Sequence, residues 1–358
     1  MESFAFLFHP LRHSDFARKF PLLSALPERW VEAGMKYLPP LHVSHVTGVV
    51  SATGARAEGD FLAVAMTPRV LLESSFTGFV LPRLVRAGRK AQELGDGILG
   101  LGAFTKIVGD RGVSVAKALH IPVTTGNSYT AASAVEGALI GTERLGIPTT
   151  EATGAVIGAT GSIGQAVSHL LAESCRRVVL VARNEERLKD LSRALMERYD
   201  ADVEVLTDPR EAARRADLVL TVSSAPGVLL EPEDLKPASV VCDVARPRNV
   251  SSAVYERRDD VLVIDGGVIR VPGNPDFGFN FGFPPGMVEA CMAETMILAL
   301  ERRYEPFTLG ADVKVERVRE IQQLAKKHGF SVAGFRRFER AIGDDEVEAI
   351  RERARRAG

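Results

Sequence analysis

A glycine-rich segment, Gly158-Ala159-Thr160-Gly161-Ser162-Ile163-Gly164, is the clearest chemical motif in the sequence. It follows the apolar run 155–157 and precedes apolar residues at helical spacing. Glycines between a strand and a helix allow a tight turn and a close approach to a pyrophosphate, whose charge the free N–H groups of the helix start bind. The context predicts a dinucleotide site rather than an ordinary strand-to-helix turn, formed by Gly158, Thr160, Gly161, Ser162, Ile163 and Gly164.

The end of the next predicted strand indicates which dinucleotide binds. After Val181-Ala182 the chain has Arg183 and Asn184, where an NAD-preferring site usually has an acidic residue for the ribose 2′-hydroxyl. A guanidinium can pair with a 2′-phosphate, and no carboxylate stands at this position to repel one. The sequence therefore predicts NADPH, although an arginine on a solvated edge is the alternative.

Two further turns follow predicted strands of the same unit. Ser223 lies in the segment 222–227, and Gly266 lies in Asp265-Gly266-Gly267. Ligands of open parallel sheets bind at the carboxyl edge of the strands, so both residues are predicted to contact the cofactor. For Gly266, a plain glycine turn is an equally good interpretation.

Three widely spaced cysteines, Cys175, Cys242 and Cys291, show neither a Cys-x-x-Cys pair nor neighbouring histidines, which argues against zinc. Cys291 lies near the start of a predicted helix over 287–303, where the helix dipole favours a thiolate. A single cysteine on an apolar helix is more often a core residue, so position alone does not make it a nucleophile. Cys175 and Cys242 have the pattern of structural residues.

The order of elements predicts an α/β fold. Strands alternate with helices from 154 to about 270, as in a doubly wound nucleotide-binding domain. The predicted strands are 154–158, 177–182, 202–206, 217–222, 239–243 and 261–264. We expect three regions: a substrate-binding α+β domain over 1–150, with 287–358 packing back on it; a Rossmann domain over 151–272; and a cysteine helix and helical tail over 273–358.

Composition narrows the function classes. The 358 residues are 46% hydrophobic and 25% charged, which is ordinary globular usage. Lys and Arg (45) nearly balance Asp and Glu (46), so no overall charge attracts nucleic acid. No apolar run reaches the roughly 20 residues that span a bilayer, and the short apolar start lacks a cleavage site. We therefore expect a cytoplasmic protein without a transmembrane segment.

The sequence resembles the long-chain acyl-[acyl-carrier-protein] reductases of cyanobacteria over nearly its whole length. The segments that carry this resemblance are Ser51-Ala52-Thr53-Gly54, Gly102-Ala103-Phe104-Thr105, Thr124-Thr125-Gly126-Asn127, the loop from Gly158, Ala182-Arg183-Asn184, Gly266-Gly267-Val268, and Ala290-Cys291 with Ala293-Glu294. The order and spacing of these segments are more specific than any one of them.

The resemblance implies a nucleophilic cysteine at Cys291, an acyl-enzyme thioester and reduction by NADPH to a fatty aldehyde. A thiolate attacks a thioester at little thermodynamic cost, because one thioester replaces another. A fatty-acyl thioester is the implied substrate, and an acyl carrier protein and a downstream aldehyde-using enzyme are the candidate partners. A carrier protein would dock on the basic helix face of Arg83, Arg86, Arg89 and Lys90; a solvated face is the alternative.

Two positions depart from the family pattern. Lys106 stands where a small polar residue is expected, and Tyr129 stands where a histidine is expected. These departures leave both acyl-carrier protein and coenzyme A open as carriers. Asn127 could hold the thioester carbonyl or the cofactor carboxamide, and Tyr129 or Lys106 could supply a proton to the developing alkoxide. A helix cap, a buried aromatic residue and a surface charge are the respective alternatives.

The histidines complete the sequence-based predictions. His9 matches a histidine of the family without an assigned role, and His42 and His45 lack a carboxylate at metal-ligand spacing, so no metal site is predicted. Two other functions remain open: a shikimate-dehydrogenase-like NADP-dependent oxidoreductase of a small hydroxy acid, and a non-catalytic nucleotide sensor.

Overall fold

The computed structural model describes residues 1–10, 30, 34, 37–73, 78–106, 109–225, 227–245, 247–280, 282–338 and 340–357. The chain divides into two compact units, each assembled from separate segments. Unit 1 comprises 1–126, 270–312 and 323–331, and unit 2 comprises 127–269, 313–322 and 332–358.

The described strands are β1 (Glu2–Phe8), β2 (Leu41–Val50), β3 (Arg56–Ala63), β4 (Leu99–Leu101), β5 (Val123–Thr124), β6 (Thr153–Ile157), β7 (Arg177–Val181), β8 (Asp202–Leu206), β9 (Leu218–Thr221), β10 (Val240–Asp243), β11 (Leu262–Asp265), β12 (Val268–Arg270), β13 (Gly273–Asp276), β14 (Met287–Glu289), β15 (Ser331–Val332), β16 (Phe335–Arg337) and β17 (Arg340–Ile342).

The described α-helices are α1 (Pro68–Glu73), α2 (Val80–Leu94), α3 (Val113–Lys117), α4 (Asn127–Arg144), α5 (Ser162–Ser174), α6 (Glu185–Arg198), α7 (Pro209–Arg215), α8 (Ala253–Arg257), α9 (Ala290–Leu300), α10 (Val315–His328) and α11 (Asp344–Ala357). Short 3-10 helices cover Ala103–Lys106, Thr149–Glu151 and Pro232–Asp234. No described helix combines the length and the apolar character needed to cross a bilayer.

Unit 1 contains a mixed sheet in the order β13-β2-β3-β1-β4-β5. β1 pairs in parallel with β3 and β4, and β5 extends the parallel part beside β4. The consecutive buried residues Phe4 to Leu7 suit a central strand whose two faces are both covered. This strand had been interpreted only as an apolar start of the chain, because a short apolar run has no period that identifies a strand.

Helix α9 packs against β1 and β4 of this sheet. Every residue of α9 is buried, which fits a helix that is apolar all round. Gly100 in β4 makes the close approach possible, since a Cβ atom there would lie 2.2 Å from Thr295 Oγ1. The helix that carries Cys291 is therefore a core element of unit 1.

Unit 2 contains a fully parallel sheet in the order β11-β10-β9-β6-β7-β8. Counted from β6, this is the doubly wound order 3-2-1-4-5-6 in reverse. The predicted strands match β6 to β11 within one residue at each end, and the predicted α/β, Rossmann-type fold class is confirmed.

Segments outside the predicted nucleotide-binding range also belong to unit 2. Helix α4 belongs to unit 2, where Gly141 lets it approach β10 and β11: a Cβ atom there would lie 3.2 Å from Val240 Cγ1 and 3.3 Å from Leu262 Cδ2. The tail from 332 onward also belongs to unit 2.

The predicted helix over 287–303 is also shorter than expected. Met287–Glu289 form β14, and α9 begins at Ala290. Gly286 has a φ of 76° and Glu289 is extended, so the backbone enters the helix late and Cys291 becomes the second helical residue.

Candidate active site

Cys291 lies in the first turn of α9, pressed against the turn that follows β5. It is 8% exposed. Gly126 has a φ of 72°, and a Cβ atom on it would lie 2.3 Å from both Cα and Cβ of Cys291. Only a glycine satisfies both the left-handed backbone and this contact. Gly126, the third residue of the segment Thr124–Asn127 that carries part of the family resemblance, is therefore in contact with the candidate nucleophile.

A buried carboxyl group holds this turn in place. The Oε1 atom of Glu294, which is fully buried, accepts hydrogen bonds from Thr124 Oγ1 at 2.5 Å and from Thr308 Oγ1 at 3.0 Å. Thr125 in turn donates its backbone N–H to Thr308 O at 2.9 Å. No role is predicted for Glu294 from the sequence, although an acidic residue inside an otherwise apolar helix is a signal for a buried, hydrogen-bonded carboxyl group.

Burial governs the acidity of the Cys291 thiol. Its pKa is raised to about 11, mainly by desolvation. The charge of Lys106 is the largest influence that lowers the pKa, and the backbone N–H of Met292 lowers it too, whereas Glu289 and Glu294 raise it. Lys106 therefore lies within electrostatic reach of the sulfur, as a role beside the thioester requires.

We predict that Gly126→Ala lowers the free energy of unfolding by more than the 1–2 kcal/mol that a left-handed alanine costs. The excess arises because the added methyl group overlaps Cys291. Gly109 is a matched control in the same unit: its φ is also 72°, but no atom lies within 4 Å of its Cβ position. Denaturant unfolding of both variants measures the excess, and equal losses would contradict the close contact.

In unit 2, the loop after β6 forms a cradle that side chains would fill. A Cβ atom on Gly158, whose φ is 97°, would lie 2.8 Å from Ser223 N, and one on Gly164 would lie 2.1 Å from Gly158 O. Gly161 caps α5, whose first residue is Ser162. The predicted glycine loop and Ser223 thus lie together at the carboxyl edge of the sheet, where the residues fit a dinucleotide pyrophosphate.

Arg183 and Asn184 follow β7 at the same edge. Asn184 caps α6 by accepting the Arg187 backbone N–H at 3.0 Å, so it has a structural role. The exposed Arg183 makes no ion pair or hydrogen bond with any residue in the described part of the chain. Its guanidinium is available to a ligand.

Gly266 and the other cysteines have structural explanations. A Cβ atom on Gly266 would lie 2.8 Å from Cys242 Sγ and 2.7 Å from Val244 Cγ2, which accounts for the glycine without a ligand. Cys242 is fully buried and donates to Ala134 O at 3.6 Å. Burial raises the pKa of Cys175 to about 12. Cofactor contact by Gly266 stays a prediction.

Asn127 and Tyr129 lie in the first turn of α4, in unit 2. Both are buried. The Oδ1 atom of Asn127 has no hydrogen-bond partner among the described residues, which is costly unless a ligand supplies one. Burial raises the pKa of Tyr129 above its ordinary value, and its role as a proton donor stays a prediction.

The Ser51–Gly54 segment forms the turn between β2 and β3. Ser51 Oγ lies 2.8 Å from His328 Nδ1, and His328 Nε2 lies 2.8 Å from Glu301 Oε2. The backbone N–H of Ala52 donates to His328 O at 3.0 Å. These contacts explain this family segment as a structural anchor for the end of α10.

Within the described ranges, no three His, Cys, Asp or Glu side chains come together in a way that could hold a metal ion. His42 Nε2 and His45 Nδ1 share Asp60 Oδ1, at 2.6 Å and 3.1 Å. This carboxylate partner comes from β3, and the spacing of the two histidines on β2 alone did not reveal it.

The doubly wound sheet and its glycine cradle define a Rossmann-type dinucleotide-binding unit, and two family matches make the chain an NAD(P)-dependent oxidoreductase. The family model for shikimate / quinate 5-dehydrogenase matches residues 142–265, within the nucleotide-binding part. The long-chain acyl-[acyl-carrier-protein] reductase of Synechococcus elongatus is 31% identical over 322 residues, which cover 85% of this chain and 91% of that protein. The chain belongs to the family of that reductase.

The chain is also similar to two other proteins, over different shares of their length. Aminotransferase PigE of Serratia is 35% identical over 288 residues, which are 79% of this chain and 33% of that protein. The chain thus spans about a third of the length of PigE. Among solved structures, L-tryptophan dehydrogenase from Nostoc punctiforme is similar with a TM-score of 0.42 and 13% identity, covering 100% of this chain and 89% of that one.

Proposed function

We propose that the protein reduces a fatty-acyl thioester to a fatty aldehyde, with NADPH as the reductant and Cys291 as the nucleophile. The observation that carries this proposal is the placement of Cys291 in the first turn of α9, directly under Gly126 and within electrostatic reach of Lys106. Membership in the family of an acyl-[acyl-carrier-protein] reductase supports the choice of substrate.

In the first step, the Cys291 thiolate attacks the thioester carbonyl carbon. A bond forms between that carbon and Cys291 Sγ, and the bond to the carrier sulfur breaks, so the carrier leaves as a thiolate that takes up a proton. One thioester bond thus replaces another, and the acyl group becomes attached to Cys291 of unit 1.

In the second step, the acyl group is reduced. When bound, the cofactor supplies the hydride that converts the acyl carbonyl to a hemithioacetal alkoxide. The Gly158 cradle would hold its pyrophosphate and Arg183 its 2′-phosphate. The unpaired Asn127 Oδ1 is an acceptor, which suits the N–H groups of the nicotinamide carboxamide better than a thioester oxygen. Cleavage of the bond to Cys291 Sγ then releases aldehyde and restores the thiolate.

The two alternative functions have less support. The shikimate / quinate family match ends at Asp265 and does not include Cys291, so it bears on nucleotide binding and not on the substrate. A non-catalytic sensor would not need the buried network that fixes Gly126 on the thiol.

One assay tests the proposed reaction. The purified protein is incubated with NADPH and acyl thioesters of several chain lengths, attached to acyl carrier protein or to coenzyme A, and products are identified by mass spectrometry. We expect fatty aldehyde and one NADPH oxidised per aldehyde. Oxidation of NADPH with a small hydroxy-acid or keto-acid couple and no aldehyde would favour the dehydrogenase, and no turnover would favour the sensor.

We further propose that an acidic carrier protein docks on α2. Of the four predicted residues, Arg83 stacks 3.6 Å from the Phe79 ring centroid and donates to Phe79 O, and Lys90 pairs with Glu93 at 3.3 Å. Arg86 and Arg89 are exposed and make no ion pair with a described residue, so they are the available charges.

We predict that reversing Arg86 and Arg89 to glutamate raises KM for the carrier-bound substrate severalfold and weakens its dependence on salt. KM for a coenzyme A or short thioester should change less, because these substrates lack the acidic protein surface. Reversal of Lys189 and Arg193, exposed on α6, is the matched control for net charge. An unchanged KM and salt dependence would remove α2 from the docking site.

A further inference from the structure

Three neighbouring parallel strands of unit 1 end at the same edge of the sheet. β1, β4 and β5 are adjacent and parallel, so the residues that follow them lie side by side. His9 follows β1, the turn Ala103–Lys106 follows β4, and Gly126, which touches Cys291, follows β5. The three turns therefore lie at one edge of the sheet, and Gly126 places Cys291 at that edge.

Lys106 brings a cation to this edge, and no carboxylate of the described residues pairs with it. Its side chain is half-buried and forms no ion pair or hydrogen bond with any residue of the described ranges. Among the described residues, the charged groups that influence the pKa of Cys291 are Lys106, Glu289 and Glu294, and of these Lys106 alone lowers it and so favours the thiolate. Desolvation makes an unpaired cation costly, so its place at this position calls for an anionic counterpart.

His9 fixes the turn that carries Lys106. His9 Nε2 accepts the backbone N–H of Phe104 at 3.0 Å, and His9 Nδ1 lies 2.8 Å from Pro10 O, an arrangement that fits a neutral ring with the proton on Nδ1. His9 is buried. Ala103 has a φ of 47°, a left-handed conformation that a non-glycine residue adopts only when its surroundings hold it there.

We propose that Lys106 is the cation that stabilises the thiolate of Cys291, and that His9 is a positioning residue that holds the Lys106 turn in place. This inference rests on the proposed function only in taking Cys291 as the nucleophile. In the acylation step, the ammonium group stabilises the sulfur anion that attacks the acyl carbon, until the bond to Cys291 Sγ forms and the bond to the carrier sulfur breaks. It would play the same part for the thiolate restored when aldehyde leaves.

The test uses the reaction of Cys291 with two alkylating reagents, neutral iodoacetamide and anionic iodoacetate, followed by mass spectrometry of the modified peptide. A nearby cation raises the thiolate fraction and also attracts the anionic reagent. In Lys106→Met we expect both rates to fall at pH 8, and the ratio of iodoacetate to iodoacetamide rates to fall by about threefold to tenfold. In Lys106→Arg, both alkylation rates should stay within about twofold of those of the unmodified sequence.

Two controls make the result specific. Lys117→Met removes an exposed lysine at the end of α3, in the same unit, and should leave the rate ratio unchanged. Cys175 is an internal reference in the same protein, because it is buried, its pKa is raised to about 12, and no cation appears among its influences. In the unmodified sequence, Cys291 should react faster than Cys175.

For His9, we expect His9→Ala to lower the rate ratio toward that of Lys106→Met. His9→Gln should restore it in part, because the glutamine side-chain oxygen can accept the Phe104 N–H. A merely structural residue would change stability without changing the charge selectivity of alkylation.

The inference is overturned if Lys106→Met leaves the ratio unchanged, or if Cys291 reacts no faster than Cys175. Measuring aldehyde formation in parallel separates this inference from the proposed function. A lowered ratio without aldehyde formation by the unmodified protein would support the Lys106 role and reject the reductase. Aldehyde formation with an unchanged ratio would reject the Lys106 role alone.

Discussion

Replacing Cys291 with alanine is expected to abolish aldehyde formation. Incubation of the unmodified protein with acyl thioester and no NADPH should leave one acyl group on the peptide that contains Cys291, measured as a mass increase. Adding NADPH should discharge that group as aldehyde. Cys291→Ala should lose both signals, because the other cysteines among the described residues are buried in strand or helix-end positions of unit 2.

The same variant should still bind NADPH, because the Gly158 cradle belongs to unit 2. Cys175→Ala and Cys242→Ala are the matched controls and should keep the label, with a stability loss at the fully buried Cys242. Aldehyde formation by Cys291→Ala at near the original rate would indicate hydride transfer to the unattached thioester and would reject covalent catalysis.

Charge reversal at Arg183 is expected to weaken NADPH binding by roughly tenfold to more than a hundredfold. A charge-assisted hydrogen bond contributes about 1.5–3 kcal/mol, and about 1.4 kcal/mol corresponds to a factor of ten. Arg183→Glu should leave NADH binding nearly unchanged, because NADH has a 2′-hydroxyl in place of the phosphate. Titration of protein fluorescence or calorimetry with each cofactor measures the difference.

Arg193→Glu is the control for Arg183→Glu, since Arg193 lies on the same helix α6 but is exposed at a distance from its first turn. It should affect neither cofactor. If Arg183→Glu lowered the affinity for NADPH and for NADH equally, the guanidinium would not bind the 2′-phosphate.

The nucleotide-binding sheet was predictable because its signals are local. β6, β7 and β10 each contain three or four consecutive apolar residues. The order of these strands along the chain is sufficient to predict a doubly wound topology. Gly164 in the loop after β6 also has a local cause, because a Cβ atom there would overlap Gly158 O.

The thiol site was less predictable because its contacts join residues far apart in the chain. Glu294 accepts a hydrogen bond from Thr124, which lies 170 positions earlier in the chain. His9 accepts one from Phe104, which lies 95 positions later. Neither pair has a period or spacing that a sequence pattern can show. Lys106 was noticed only as a departure from the family, and its relation to Cys291 required the strand order of unit 1.

The discontinuity of unit 1 has a consequence for biosynthesis. Gly126 and Cys291 touch, yet 164 residues separate them along the chain and form most of the other unit. At about 5–20 residues per second, a ribosome needs roughly 8 to 33 s to make that stretch. Throughout that time β1 and β4 lack α9, which packs against them in the finished protein. We expect this uncovered apolar face to be where a ribosome-associated chaperone binds the nascent chain.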